Sequence, residues 1–310
     1  MQNADIAALL DARLLNAGFI VIRPSPVSQQ LYRTVRRMTS NRKIDDQRAL
    51  NRAIGVMKRR RKRDDGVLRV NVLDKNQFLS GVDYFEKSGR KFPKLAVSCK
   101  PLSESKCPLV VHNNWIVGKN AKIYRFREHL MWLYDGYDHY YSSETRKYLT
   151  YTNPKPTTSN DLPKNVTERE LSALRTALAI GHLLNRVVIL PRFHCGTREC
   201  PLNSVVHIKT FDEHFSGRYR ESNFLQHPKV PDSVKQSVTE RQCVMNANQT
   251  FDVQLSCAEI TQLFGEVSAK ILKLGNLRRV KVDLYDRSNN AEFSSKLQKA
   301  FRRARYRQIH

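Results

Sequence analysis

The sequence predicts an α/β protein of two modest domains, and three observations lead to this fold class. The chain has 310 residues, which exceeds a typical domain of ~100–200 residues. Apolar residues recur at helical spacing over 26–40 and fall on one face. They are Val27, Leu31, Val35 and Met38. Residues 187–190 form a continuous apolar run, which is typical of a strand in a parallel sheet covered on both sides.

Residues 1–150 are predicted to form the first domain. Pro24 ends a strand centred on residues 19–22. The pattern predicts, in order, a short helix and that strand within 5–24, helices at 26–40 and 44–57, strands at 67–73 and 109–111, and a helix at 123–133.

Residues 151–166 are predicted to be a linker, because three prolines and several serines and threonines interrupt the periodic pattern. The second, smaller α/β domain is predicted at 167–310. Thr167 is a natural N-cap for its first helix, and Glu170 completes a capping box three residues later.

The chain is strongly basic: 54 Lys and Arg residues against 29 Asp and Glu give a net charge of +25. This suggests an anionic partner. The densest basic run, residues 58–63, has three interpretations: a nuclear or nucleic-acid patch, a site for anionic glycan or lipid, or a solvated loop. The polar turn Asp-Asp-Gly at 64–66 favours the loop. No zinc-finger spacing or aromatic-interleaved pattern accompanies the charge, so no nucleic-acid partner is expected.

The motif richest in chemistry spans residues 110–122. A short apolar strand ends at His112, Gly118 follows six residues later, and Lys122 comes four residues after that. An imidazole can ligate a divalent metal. A glycine lets backbone amides approach a diphosphate, and a lysine can place charge on a leaving phosphate. This order indicates the end of a nucleotide-sugar site.

The motif resembles the closing motif of GT-A glycosyltransferases, most closely the family 77 nucleotide-diphospho-sugar transferases. Residues 14–19 resemble the family's Asn-x-Gly-Phe segment, and residues 46–51 resemble its Asp-Gln-x-x-Leu-Asn helix. Residues 72–85 resemble the strand and turn that lead to the histidine. The matches follow the family's order between about residues 5 and 135. Residues 1–150 are therefore expected to be the C-terminal part of a GT-A Rossmann-like domain.

The resemblance implies transfer of a sugar from a nucleotide-diphospho-sugar, expected to be UDP-linked, to a glycan or glycoprotein acceptor. It implies a divalent metal, with manganese expected, and His112 as its ligand. Asp46 is the implied catalytic residue, and Asp11 is a further candidate. The implied donor- and substrate-binding residues are Asn16, Gly18, Asp46, Gln47, Trp115, Gly118 and Lys122.

Each of these roles has a plainer alternative. His112 could be a strand-end histidine bonded to backbone, and Lys122 competes with Lys119 for the phosphate. Gly18 could only relieve a tight turn. Trp115 could wall the site or pack in the core. The alternatives continue with Asp46, which could be the N-cap of its helix.

The sequence lacks the Asp-x-Asp metal motif that family members carry in a preceding nucleotide-binding half. On this ground we expect an amino-truncated GT-A domain whose catalytic competence is a separate question. Two alternatives from other classes stay open. One is a non-catalytic lumenal glycan-binding protein or pseudoenzyme, and the other is a basic nucleic-acid-binding protein.

The resemblance also implies a Golgi location, with any membrane anchor lying upstream of Met1. No stretch approaches the ~18 consecutive apolar residues of a membrane helix. Six cysteines in a secretory-type protein favour disulfides, with Cys99–Cys107 and Cys195–Cys200 as the local pairings among several. A half-zinc site at Cys195 and Cys200 lacks a second ligand pair. Sequons at Asn165 and Asn248 fit a lumenal protein.

The second domain carries a weaker resemblance. Residues 173–191 resemble the start of GDP-fucose O-fucosyltransferase-like domains, and residues 219–225 resemble the Arg-Glu-Ser-x-Phe-Leu segment of similar sugar transferases. Too little chain remains for a complete second enzyme of that type. An accessory α/β, Rossmann-like domain is therefore expected at 167–310.

Overall fold

The computed structural model describes residues 3–11, 13–40, 44–59, 67–87, 108–153, 168–195, 198–243, 253–277, 280–283 and 287–305. The chain forms two compact units, Met1–Val117 and Gly118–His310. Both contain parallel strands and helices, so the predicted α/β class is confirmed.

The first unit is built on a three-stranded sheet in the order β2-β1-β3. Strand β1 pairs antiparallel with β2 and parallel with β3, and β4 pairs parallel with β5. The elements are β1 (Ile6–Asp11), β2 (Leu14–Ile22), α1 (Pro26–Thr39), α2 (Asp46–Arg59), β3 (Val70–Val72), β4 (Phe78–Ser80), a π-helical turn (Val82–Lys87) and β5 (Val110–His112).

The short helix predicted at the start of the chain is wrong, because Ile6–Asp11 is the central strand of this sheet. Residues 6–9 are fully buried, and β1 forms ladder hydrogen bonds on both edges. Alanine has the highest intrinsic helix propensity, but propensity is a small term, and burial with pairing on both sides overrides it here.

Helices α1 and α2 confirm the predicted helices at 26–40 and 44–57. The predicted apolar stripe of α1 packs against the buried face of α2 in one hydrophobic core. Asn51 of α2 then fastens this layer to the hairpin: its Oδ1 accepts the Leu15 N–H (3.0 Å) and its Nδ2 donates to the Leu15 carbonyl (2.8 Å). The second strand of the hairpin is thereby fixed beside Asn16, the first predicted site residue.

The second unit contains a five-stranded sheet in the order β10-β7-β6-β13-β11. Every neighbouring pair is parallel, which confirms the parallel strand predicted at 187–190. Its helices are α3 (Lys119–Glu128), α4 (Glu168–Leu183), α5 (Leu202–Val205), α6 (Ile208–Phe215), α7 (Asp232–Gln236), α8 (Cys257–Phe264) and α9 (Arg287–Arg305), with a 3-10 turn at Phe224–Gln226. Its strands are β6 (Tyr148–Thr152), β7 (Val187–Ile189), β8 (Phe193–Cys195), β9 (Arg198–Cys200), β10 (Tyr219–Arg220), β11 (Val238–Arg241), β12 (Val253–Leu255), β13 (Ile271–Asn276) and β14 (Val280–Val282).

The two units divide between Val117 and Gly118, earlier in the chain than the predicted linker at 151–166. Strand β6 explains the difference, because it lies inside the second sheet between β7 and β13. The prediction relied on the proline-rich composition around residue 155, whereas strand pairing decides which unit β6 joins. Residues 154–167, including the predicted N-cap Thr167, lie outside the described residues.

The disulfide predicted between Cys195 and Cys200 is present and closes the β8–β9 hairpin. Four other sequence features lie outside the described residues. They are Cys99 with Cys107, most of the basic run at 58–63, and the sequons at Asn165 and Asn248. Among the residues that the structure describes, no helix combines the length and the apolar character needed to cross a bilayer.

Candidate functional site

A buried aspartate at the end of β1, Asp11, is the centre of the candidate site. Its Oδ2 accepts hydrogen bonds from Asn16 Nδ2 (3.1 Å) and Asn114 Nδ2 (2.7 Å). Its Oδ1 accepts one from Trp115 Nε1 (2.6 Å). The β1–β2 hairpin supplies Asn16, while the segment after β5 supplies the other two donors. One carboxylate thus joins segments that are more than a hundred residues apart in the chain.

Gly18 and His112 meet at a second point of this cluster. The Gly18 N–H donates to Asn16 Oδ1 (2.7 Å). A Cβ atom added to Gly18 would lie 2.8 Å from His112 Nε2 and 2.9 Å from His112 Cε1. The positive-φ glycines of the described chain are Gly118, Gly136 and Gly217. Gly18 is therefore required by the close approach of the imidazole rather than by a turn.

The β4–β5 pair completes the wall around His112. The parallel register places Ser80 opposite His112. The Gly81 N–H donates to Asn114 Oδ1 (2.7 Å), and Ser80 Oγ donates to Asp83 Oδ2 (2.7 Å). Sequence reasoning gave little weight to Asp11 and none to Asn114 or Ser80. The position of Asn114 between His112 and Trp115 in the chain was the available signal.

Trp115 does not pack in the core: 59% of its surface is exposed. The alternative interpretation as a core residue is therefore wrong. Its backbone has a φ of +59°, a left-handed conformation that side chains other than glycine rarely adopt. Such a conformation costs about 1 kcal/mol or more and persists where surrounding contacts hold it. The hydrogen bond to Asp11 is such a contact.

Gly118 and Lys122 lie in the second unit, at the start of α3, whereas His112 lies in the first unit. Gly118 is the N-cap of α3 and has a φ of +100°, with open space where a Cβ would stand. Its backbone conformation alone therefore accounts for glycine at this position. The Lys122 N–H donates to the Gly118 carbonyl (3.1 Å), and the side chains of Lys119 and Lys122 are both exposed.

Asp46 and Gln47 occupy the first turn of α2. Asp46 is exposed, and its Oδ1 accepts the backbone N–H of Gln47 (2.8 Å). The capping role considered for Asp46 belongs to Asp45, whose Oδ1 accepts the Arg48 N–H (2.7 Å). In the described part of the chain, the hydrogen bonds of Asp46 do not join it to Asp11. Its catalytic role stays a prediction.

His112 is the ligand that the resemblance implies for a divalent metal. In the described ranges, no three His, Cys, Asp or Glu side chains come together as a group that could hold a metal ion. Both oxygens of Asp11 already accept N–H groups. A divalent ion needs several oxygen or nitrogen ligands. These residues therefore do not by themselves complete a metal site around His112.

A second buried polar cluster lies in the other unit, around Glu221. Glu221 Oε2 accepts the Tyr140 hydroxyl (2.7 Å). The guanidinium carbons of Arg127 and Arg220 lie 3.4 and 3.9 Å from the centroid of the Tyr140 ring. Burial raises the pKa of Glu221, against the lowering effect of Tyr140 and the two arginines. Tyr140, Arg220 and Glu221 are deeply buried, so the segment 219–225 forms part of a core.

Glu128, at the end of α3, is a neighbouring carboxyl of the same unit. Its Oε1 accepts the Leu202 N–H (2.9 Å). Burial raises its pKa to about 8, and the charge of Glu221 adds to this effect. The Leu202 N–H and the charges of Arg125 and Arg192 oppose it. Glu128 is thus a carboxyl that favours its protonated form in the folded chain.

Residues 3–126 match the family model of the nucleotide-diphospho-sugar transferases. The matched segment contains the whole Asp11 cluster and most of α3. The match supports a nucleotide-diphospho-sugar transferase domain and, with it, a glycosyltransferase. No curated protein and no solved structure matches the chain.

Proposed function

We propose that the chain transfers a sugar from a UDP-linked donor to a glycan or glycoprotein acceptor, and that the Asp11 cluster binds the sugar. The observation that carries this proposal is the convergence of Asp11, Asn16, Gly18, His112 and Trp115 inside the matched segment. Amide, imidazole and indole groups gathered in one cluster suit a ring bearing several hydroxyls.

In this proposal, Asp11 positions groups and does not attack the sugar. Three N–H groups converge on its two oxygens, which fixes the amides of Asn16 and Asn114 and the indole of Trp115. Asn16 is buried and serves to hold Asp11, whereas the half-buried Asn114 amide has further donor and acceptor capacity for sugar hydroxyls. Gly18 lets a ligand and the His112 ring come close to the backbone.

Charge develops on the diphosphate as the sugar leaves, and cationic groups stabilise it. The resemblance gives this role to Lys122 and Gly118 of the second unit, and it stays a prediction. Asp46 and Gln47 are proposed contacts to the substrate. Assistance by manganese through His112 stays a proposal that rests on the resemblance, since the described residues supply no complete ligand set. A Golgi location is likewise a proposal that rests on the resemblance.

The test is UDP binding by calorimetry, with and without manganese, followed by release of sugar from a panel of UDP-sugars. We expect His112→Ala to weaken UDP-sugar binding by ~10-fold or more, since it removes a polar contact of over ~1 kcal/mol. Asn16→Ala should also weaken it, because Asp11 loses one of the donors that fix it. Asp232→Asn, at an exposed position of α7, is the matched control and should bind as the parent does.

A non-catalytic glycan-binding protein is the second candidate, because the sequence has no Asp-x-Asp. A folded, monodisperse chain that binds no UDP under any metal condition would favour it. Binding of UDP-sugar that is equal in the parent and in both variants would refute the Asp11 cluster as the sugar site.

A further inference from the structure

Trp115 combines two features that a folded chain usually avoids. Its large aromatic side chain is more than half exposed, and its backbone is left-handed. Large aromatic residues normally contribute to stability by being buried. A strained backbone at an exposed aromatic residue is an observation that calls for a functional reason.

The indole is held in a fixed orientation from within the protein. Its N–H donates to Asp11 Oδ1 at 2.6 Å, and Asp11 is itself only 6% exposed. Asn16 and Asn114 hold the other oxygen of the same carboxylate. Since the polar atom of the indole is already bonded inside, the exposed part of Trp115 is carbon surface. The result is a pre-oriented apolar platform at the edge of a polar cluster.

A platform of this kind suits a sugar ring better than a charged group. A pyranose or furanose ring has an apolar face of C–H groups and a rim of hydroxyls. The face can lie on the indole while the rim reaches the half-buried Asn114 or His112. Val117, two residues further along the chain, is also exposed (63%). An exposed ring fits a sugar of an open glycan rather than an enclosed nucleobase.

We propose that Trp115 stacks against a sugar unit of a neutral glycan acceptor, and that Asp11 is the positioning residue that holds the indole in place. The identity of this ligand as an acceptor rests on the proposed function above. Binding of the glycan itself does not, because it requires no donor and no catalysis.

The direct test is affinity electrophoresis of the full chain through gels that contain a neutral arabinan, galactan, xylan or mannan. Salt at about 0.5 M screens the long-range charge interactions of a chain with net charge +25, so that retardation reports contacts with the neutral glycan. We expect Trp115→Ala to weaken the retardation by at least ~10-fold and Trp115→Phe to weaken it less, because the ring face remains while its hydrogen bond to Asp11 is lost. Tyr137→Ala is the matched control, since Tyr137 is a 99% exposed aromatic residue of the second unit.

The same variants are then titrated with UDP. A loss of glycan affinity that exceeds the loss of UDP affinity by ~10-fold supports the proposal. A larger loss for UDP would overturn it, because Trp115 would then face the nucleobase. Failure of the parent to bind any of the four glycans, with UDP binding intact, also overturns it and leaves the proposed function standing. Glycan binding without UDP binding would support the proposal for Trp115 and refute the proposed transfer from a UDP-linked donor.

The positioning role of Asp11 has a spectroscopic readout. In a Trp132→Phe background, Trp115 is the sole tryptophan of the chain. Asp11→Asn should increase the quenching of its fluorescence by acrylamide and lower the glycan affinity together. Asp74→Asn, on the turn after β3, should change neither. Unchanged quenching in Asp11→Asn would refute the positioning role.

Discussion

The two units each bury a carboxylate, but they surround it differently. Asp11 accepts from two amides and an indole, all neutral donors that come from two segments of the first unit. Glu221 accepts from a tyrosine that lies between two guanidinium groups in the second unit. One donor to Asp11, Trp115, is exposed to solvent, whereas Tyr140, which donates to Glu221, is buried. The first carboxylate organises a surface, and the second organises a core.

The largest loss of stability is expected for a change at Glu221, the buried carboxylate of the second unit. Glu221→Ala leaves the buried Arg220 and its neighbour Arg127 without the opposing charge. Breaking a buried ionic cluster in this way should destabilise the second unit by about 3–5 kcal/mol. Urea unfolding followed by Trp132 fluorescence in a Trp115→Phe background measures it. Glu221→Gln keeps an acceptor for Tyr140 and should lose less; equal losses would refute the role of the hydrogen bond.

Asp11→Ala should cause the next largest loss of stability, and this loss should be confined to the first unit. The change removes the acceptor of three N–H groups, of which Trp115 is free to reach water. The loss of the acceptor for the buried Asn16 amide and the half-buried Asn114 amide should lower the free energy of unfolding by about 2–3 kcal/mol. Trp115 fluorescence in a Trp132→Phe background reports this unit. Asp74→Ala is the control, and a loss no greater than in that control would contradict the central position of Asp11.

The stability of the second unit should depend on pH through the buried carboxyl of Glu128. The pKa of Glu128 is about 8 in the folded chain against an ordinary value of 4.5. Its stabilising contribution is therefore complete below about pH 4.5 and is lost as the pH rises through about 8. We expect the second unit to weaken over this window by up to ~1.4 kcal/mol per pH unit.

Glu128→Gln should flatten this slope, because the amide still accepts the Leu202 N–H and carries no proton equilibrium. Glu221 shares the direction of the effect, so part of the slope will remain. Glu213→Gln, an exposed change on α6, is the control. A slope that is identical in the parent and in Glu128→Gln would show that Glu128 does not carry the pH dependence.

The smallest effect is expected for Gly18→Ala. The added methyl group would lie under 3 Å from the edge of the His112 ring, which must move aside. Such overpacking should cost about 1–2 kcal/mol of stability. The imidazole resonances of His112 should shift in the NMR spectrum. Gly55→Ala on α2, where a Cβ has open space, should be neutral or stabilising.

Local patterns predicted those parts of the fold that depend on neighbouring residues. The apolar stripe of α1, the helix at α2, the parallel strand β7 and the disulfide between Cys195 and Cys200 all follow from spacing within about one element. The strand β1 was predicted as a helix, since its buried alanines carry no period that identifies a central strand. The division of the units escaped prediction for the same reason, because pairing of β6 is a long-range property.

The candidate site shows the same limit. The sequence by itself determined the α/β class, because spacing and residue type carry that information. The resemblance of its ordered motifs also pointed to His112, Gly18 and Trp115, whose roles stay predictions. Only the tertiary structure decided that Asp11 is the hub, that Gly18 faces an imidazole and that Trp115 is exposed. The donors of Asp11 include residues 103 and 104 positions away. A hydrogen bond over that distance in the chain leaves no local pattern, because it exists only once the strands have paired.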